Sequence, residues 1–267
     1  MSDSHEPELS PPGQQEEESS GSVLKPFLEH LEDLRWMLIK MIAALGIAML
    51  LSFVYARELL TIIIWPLRRI AEKPEEFLYT LEVTGGFTLA MKLAMYAGVV
   101  LACPFLLYFL AEFILPALTP KEKSLMMPVF ASGVGLFAAG VALGYFVVIP
   151  AGLRFFLEYN KYLNISSRWT IDNYVSFVSH MCLAFGICFE LPLVVLALAK
   201  LGIVSARFLR ERRPYVIVLI FIIAAVITPT TDMVNQTLLA LPMCLLYEAC
   251  IWIAWWMERK AQRKRAD

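Results

Sequence analysis

Charge is what this sequence is short of. Asp, Glu, Lys and Arg make up 18% of its 267 residues and hydrophobic residues 59%, against about a quarter and about a half in a soluble domain. The shortage is concentrated: Leu93–Ala111 and Ser124–Leu153 contain no charged residue. Apolar runs of about 18 residues or more are long enough to cross lipid as a helix. Strict alternation is also missing from these runs, which excludes the strands of a membrane barrel. Helices remain, because backbone polar groups find no water in a bilayer. A basic leader is absent as well. Residues 1–22 carry Asp3, Glu6, Glu8, Glu16, Glu17 and Glu18 and no Lys or Arg, whereas a secretory signal begins basic. Histidine is scarce (His5, His30, His180), and there is no HExxH, P-loop or GxSxG. That removes the motif-bearing membrane proteases and ATP-driven pumps. No enzyme activity, metal or cofactor is expected. Internal repeats are not visible, which weakens the case for a secondary transporter. Cys103, Cys182, Cys188, Cys244 and Cys250 all lie in apolar runs without CxxC spacing and read as small buried hydrophobes.

What is present is a polytopic all-α membrane protein with six expected spans. They run about Trp36–Tyr55, Leu93–Phe113, Leu125–Ile149, Tyr174–Ala199, Pro214–Thr228 and Gln236–Trp256. Residues 1–23 are expected as a disordered acidic tail, 24–258 as the membrane domain and 259–267 as a basic tail. The fifth span is short: about 15 residues at about 1.5 Å each cover about 22 Å, against a core of about 30 Å. The sixth starts polar at Asn235-Gln236-Thr237. An even number of spans puts both termini on one side. Fifteen Lys and Arg fall on that side and eight on the other, so both termini are expected in the cytoplasm. The longer outer loops, Glu58–Pro66 and Leu153–Leu163, mix aromatic, aliphatic and charged residues. They fit either short surface helices or simple loop packing. Gly140 and Gly144 permit close helix contact, read as packing within the fold rather than dimerisation. The Asn164-Ile165-Ser166 sequon reads as chance.

Three groups of polar residues stand out. Glu190 lies in mid-span, in Ala184-Phe-Gly-Ile-Cys-Phe-Glu190-Leu-Pro192, where a charge costs about 2.5–3.5 kcal/mol or more. Pro192 also deprives the Cys188 carbonyl of its helical donor. The pair points to a functional carboxyl in an inward polar cavity. Glu248, nearer a span end, is either structural or functional. On the cytoplasmic side, Pro26–Arg35 reads as a helix with the apolar stripe Phe27, Leu31, Leu34, Leu38. Glu29, Glu32 and Asp33 lie off that stripe, and from charge alone they read as a solvated face. The loop Leu115–Ser124 adds a further acid, Glu122.

These pieces resemble the TatC family, the multispanning subunit of the twin-arginine translocase. His30-Leu-Glu-Asp-Leu-Arg35 resembles the family's His-Leu-x-Glu-Leu-Arg motif, and Pro116-Ala-Leu-Thr-Pro-Lys-Glu122-Lys its first cytoplasmic loop. Tyr174-Val-Ser-Phe and Leu183–Pro192 resemble its fourth span. Arg212-Arg-Pro-Tyr215, Ile227-Thr-Pro229, Gln236–Pro242 and Leu246-Tyr-Glu248 resemble its fifth and sixth. Asp33 stands where the family usually has Glu, Ser124 replaces a second basic residue, and one extra residue precedes Asp232.

The resemblance implies a concave, glove-like bundle of six helices in the bacterial inner membrane, with Glu190 facing the concavity. It implies binding of the twin-arginine signal peptides of folded precursors, and export driven by the proton-motive force. Small single-span TatA/TatB-type subunits would be its partners in a multi-copy complex. Asp33 and Glu122, assisted by Glu32 or Glu29, are the expected signal-peptide ligands. Met233, Gln236 and Leu239 on the short spans are the expected docking positions for a partner. The rival reading is an ion-coupled transporter with Glu190 as its proton site.

Overall fold

The computed structural model describes residues 12–70, 78–114, 126–166, 168–200, 204–227 and 233–266, with side chains described from Leu31 to Lys260. Among the described residues the chain is nearly all helix. In order the elements are α1 (Pro12–Val54), α2 (Ala56–Arg68), β1 (Leu78–Tyr79), α3 (Gly85–Ile114), α4 (Met126–Leu143), a π-helical turn (Gly144–Val148), α5 (Ile149–Tyr162), β2 (Trp169–Thr170), α6 (Ile171–Cys188), α7 (Leu191–Lys200), α8 (Ala206–Glu211), α9 (Arg213–Ile227) and α10 (Met233–Ala266).

Five helical stretches are long and apolar enough to cross a membrane: Leu31–Val54, Gly85–Phe113, Pro128–Tyr162, Ile171–Ala199 and Gln236–Lys260. A shorter apolar helix, Arg213–Val226, occupies the place of the fifth expected span. With 15 residues, α9 reaches about 22 Å at about 1.5 Å per residue.

Several boundaries differ from expectation. The segment Pro26–Arg35 is not a separate helix but part of α1, which begins at Pro12. Helical backbone therefore reaches into the stretch expected as a disordered tail; residues 1–11 lie outside the described residues. From Phe27 to its end at Val54 no proline interrupts it. The third span likewise does not end at Ile149. Its helix passes through the π turn into α5, so the second outer loop is a helical continuation of the span. Asn164 closes it at φ 57°, a left-handed conformation that asparagine tolerates. The first outer loop is also helical, as α2. A two-residue parallel ladder, Leu78↔Trp169 and Tyr79↔Thr170, joins the two outer connections. It was not expected, because two residues are too few to show alternation.

Contacts along the helices fix their directions. In α1 and α3, Lys40 meets Glu112 and Phe53 meets Phe87, so the two run antiparallel. Gly98 is what lets them close: a Cβ there would lie 2.9 Å from the Met49 Cα. Helix α4 is antiparallel to α6, and Gly140 and Gly144 both abut Phe185. A Cβ on Gly140 would strike the Phe185 carbonyl oxygen and lie 2.8 Å from the Phe189 Cβ. The GxxxG pair therefore serves packing within the fold. Helices α9 and α10 pair antiparallel, with Gln236 Nε2 donating to the Phe221 carbonyl at 3.0 Å. The core gathers on α6 and α10, with Val175, Val178, Met181, Phe185, Leu239, Met243 and Ile251 essentially inaccessible.

Where the backbone ladder is broken, side chains repair it. Pro66, inside α2, has no N–H for the Ile62 carbonyl; the Tyr145 hydroxyl donates to that oxygen at 2.6 Å. Tyr174 donates to the neighbouring Ile63 carbonyl at 2.8 Å. This is the satisfaction that a lipid environment demands.

Gly140 gives a direct test of the close α4–α6 packing. Gly140→Ala is expected to destabilise the fold by about 1–3 kcal/mol through overpacking. Gly135→Ala, where a Cβ meets nothing within 4 Å, should be neutral or stabilising by up to about 1 kcal/mol through helix propensity. Thermal unfolding in detergent reads both; equal midpoints for the two variants would refute the close contact.

Candidate functional site

The acidic residues of α1 follow from its helical spacing. Glu29, Glu32 and Asp33 stand at positions that share one face. Glu32 and Asp33 are exposed; the Glu29 side chain lies outside those described. Two turns on, Lys40 Nζ bonds both carboxylate oxygens of Glu112, at 3.1 and 3.3 Å. Both side chains are nearly half exposed, so the pair orients the helices more than it stabilises them. It fixes the last turn of α3 beside the first half of the Leu31–Val54 span. Residues 115–125, with Glu122, lie outside the described residues. The elements flanking them, the end of α3 and the start of α4, belong to the same end of the bundle as Asp33.

Glu190 sits at the break between α6 and α7. The chain tightens there, with Glu190 N–H donating to the Ile187 carbonyl at 3.0 Å and Val194 N–H to the Glu190 carbonyl at 3.1 Å. Pro192, which has no N–H, is buried in the first turn of α7. Both carboxyl oxygens of Glu190 are buried without a hydrogen-bond partner among the described residues. Gly133 of α4 leaves them room: a Cβ there would lie 3.4 Å from Oε2, with Leu193 and Leu107 beside it. These neighbours are apolar, not the polar cavity expected.

At the α9–α10 pair the three expected docking positions part ways. Met233 is 81% exposed and Gln236 is partly buried through its bond to Phe221. Leu239 is 0% exposed and belongs to the core. The expectation for Leu239 is therefore corrected: it faces the chain's own helices. Glu248, near the middle of α10, forms an ion pair with Arg213 that ties α10 to α9.

Residues 29–242 match the family model described as Sec-independent protein translocase protein (TatC). The chain belongs to the TatC family. It is 37% identical to the TatC protein of Desulforapulum autotrophicum over 226 residues, 85% of this chain and 83% of that protein. It is 47% identical to the TatC protein of Akkermansia muciniphila over 182 residues, 68% of this chain but only 52% of that protein's length. A crystal structure of the twin arginine translocase receptor TatC superposes with a TM-score of 0.76 at 35% identity, covering 84% of this chain and 97% of the other. This TatC-family chain is accordingly a multi-pass membrane component of the Sec-independent protein translocase. The transporter reading is set aside.

Other contacts in this TatC-family fold had no signal in the sequence. Lys92 Nζ bonds both carboxylate oxygens of Asp172, at 2.7 and 2.6 Å. One turn deeper, Tyr96 meets the His180 Nε2 at 3.0 Å, while the His180 Nδ1 lies 2.7 Å from the Ser176 carbonyl. A carbonyl only accepts, so Nδ1 carries hydrogen. The pairs span 80 and 84 residues, and no local pattern predicts such partners. Glu112 carried a faint signal: an acid closing a charge-free run, with Lys40 otherwise uncompensated in the first span.

Proposed function

We propose that this chain is the signal-recognising core of a twin-arginine translocase. It binds the twin-arginine signal peptides of folded precursors and, with single-span TatA/TatB-type subunits, mediates their export driven by the proton-motive force. The observation that supports this most directly is the exposed Glu32–Asp33 face of α1, at the bundle end where α3 finishes and α4 begins. Asp33 and Glu122 are the proposed ligands of the two arginines, with Glu32 or Glu29 assisting. Arginine offers a planar fork that meets a carboxylate through two parallel bonds. A charged hydrogen bond of this kind contributes about 1.5–3 kcal/mol, so two give about a hundredfold or more in affinity at about 1.4 kcal/mol per tenfold.

The Lys and Arg distribution supports a bacterial inner-membrane protein with both termini and the Glu122 loop in the cytoplasm. The short α9 and the exposed Met233 support a partner site on α9 and α10, with Gln236 at its edge. Local thinning of the bilayer accommodates a helix of this length. A cysteine placed near Asn164 should react with an impermeant reagent from outside and one near Glu122 should not; a photo-crosslinker at Met233 should capture the single-span partner. The reverse labelling pattern, or capture only from around Val99 or Leu136, counts against this arrangement.

Glu190 acts in the transport step rather than in recognition, its carboxyl being buried among Gly133, Leu107 and Leu193 instead of exposed like Glu32 and Asp33. Glu190→Ala should impair export while leaving signal-peptide binding intact, and Glu190→Gln should be milder because it keeps a hydrogen-bonding group of the same size. Full export by Glu190→Ala would make the residue structural.

Recognition is tested by crosslinking a signal peptide to Asp33→Ala, Glu122→Ala and the double variant. Each single change should lower binding about tenfold and the double about a hundredfold, by the same bond energies. Twin-lysine peptides should bind more weakly, because lysine keeps the charge and loses the fork. Wild-type crosslinking by the folded, inserted double variant would place the reading of the arginines elsewhere.

A further inference from the structure

The basic end of the α9–α10 pair holds a feature that signal recognition does not use. Arg210, Arg213, Glu248, Ile251, Trp252 and Trp255 line a cavity of about 340 Å³. Its walls come from α8, α9 and α10. Ser205 caps α8, its hydroxyl accepting from Phe208 N–H at 3.1 Å. Glu258 of α10 accepts from Ala206 N–H at 2.7 Å, and Tyr247 donates to the Leu209 carbonyl at 2.8 Å. These bonds hold the short helix against α10 and make the cavity a built site rather than a gap between mobile ends.

Its chemistry is cationic and aromatic. Arg213 gives one guanidinium nitrogen to Glu248, while its Nε is buried with no partner among the described residues. Arg210 is exposed at the mouth. Trp252 is 65% exposed, and Leu245, about two turns away on the same face, equally so. Just beyond, the Arg259 guanidinium lies 4.0 Å from the Trp255 ring centre and Lys260 Nζ 5.1 Å from that of Trp256. Over these residues α10 passes from an apolar to a basic surface.

We propose that this cavity binds the phosphate of an anionic phospholipid headgroup, with the acyl chains lying along Trp252 and Leu245. Arginine forks match phosphate oxygens, tryptophans favour the membrane–water boundary, and basic pockets between helix ends suit anionic headgroups. The open apolar wall distinguishes a lipid from a soluble anion, which would leave that wall unoccupied. Glu248 sharpens the choice: its carboxylate repels a second negative charge and favours the singly charged phosphodiester over inorganic phosphate. On α10 the site begins at Glu248, about 22 Å from Met233 at about 1.5 Å per residue, so lipid and partner subunit do not compete.

The test is native mass spectrometry of the full chain released from detergent, with phosphatidylglycerol or phosphatidylcholine added. The variants are Arg210→Gln and Trp252→Ala. Arg207→Gln is the control: it is exposed on the same helix and paired with Glu211 at 2.9 Å, outside the cavity. Arg213→Gln is avoided because Glu248 depends on it. Phosphatidylglycerol should be retained about tenfold better than phosphatidylcholine, and Arg210→Gln should lower its retention about tenfold, one charged hydrogen bond's worth. Arg207→Gln and inorganic phosphate should change nothing. Equal retention of the two lipids, or an unaffected Arg210→Gln, overturns the proposal. So does an equal loss in Arg207→Gln, which would indicate diffuse surface charge, and so does displacement by inorganic phosphate, which would indicate a soluble ligand.

Discussion

Lipid offers no hydrogen bonds, and a backbone group freed by a proline must find its partner within the protein wherever water is excluded. A proline inside a water-soluble helix can leave a carbonyl to solvent. At Pro66 the freed Ile62 oxygen instead takes the hydroxyl of Tyr145, 83 residues away in sequence. Stacking of Tyr145 on Trp65, with ring centres 5.8 Å apart, holds the hydroxyl in place. Arg69 in turn covers Trp65 at 3.9 Å. One missing N–H thus determines how α2 seats against the π turn. The same constraint gives the Glu190 break its significance. The backbone there is tightened around Pro192, and the carboxyl beside it is enclosed by Gly133 and leucines. It is this buried, unpartnered carboxyl that the proposed function assigns to transport rather than to binding.

Close helix approach is the second organising device. Without a hydrophobic drive between helices in lipid, association depends on contact and hydrogen bonds. Glycines supply the contact at both major crossings, Gly98 between α1 and α3, and Gly140 with Gly144 between α4 and α6. Polar bonds then set the register: Lys40 with Glu112 at the basic end, Lys92 with Asp172 at the other. The exposed acids of α1 are displayed on a helix whose position is fixed at both ends of α3.

Much of this was legible in the sequence, and the reasons are physical. Long charge-free runs announce spans because the hydrocarbon core sets their length. Glu190 with Pro192 announced a break because each is costly alone in a span. Gly140 and Gly144 announced a close crossing because only their spacing permits one. What was illegible is equally instructive. Leu239 was placed on a surface because α10 is apolar on every side, so no stripe marks the face turned inward. The continuation of α4 into α5 escaped notice because Arg154 and Glu158 look like the end of a span, although helix does not stop where lipid does. Partners such as Asp172 for Lys92 lie on different helices and leave no local trace. The acids of α1 were visible as a face, but their distance from Glu122 is not a property of either segment.

The ladder between Leu78 and Trp169 bears on how the chain reaches its final form. Its two strands are separated by two membrane-crossing helices, and parallel pairing across such a distance carries a loop-closure cost that two residues of ladder cannot offset. The ladder is therefore a late product of assembly. Helix α6 must first dock beside α3, where Asp172 meets Lys92, before Trp169 is brought within reach of Leu78. The ladder thus depends on the packing of the first four spans rather than driving it.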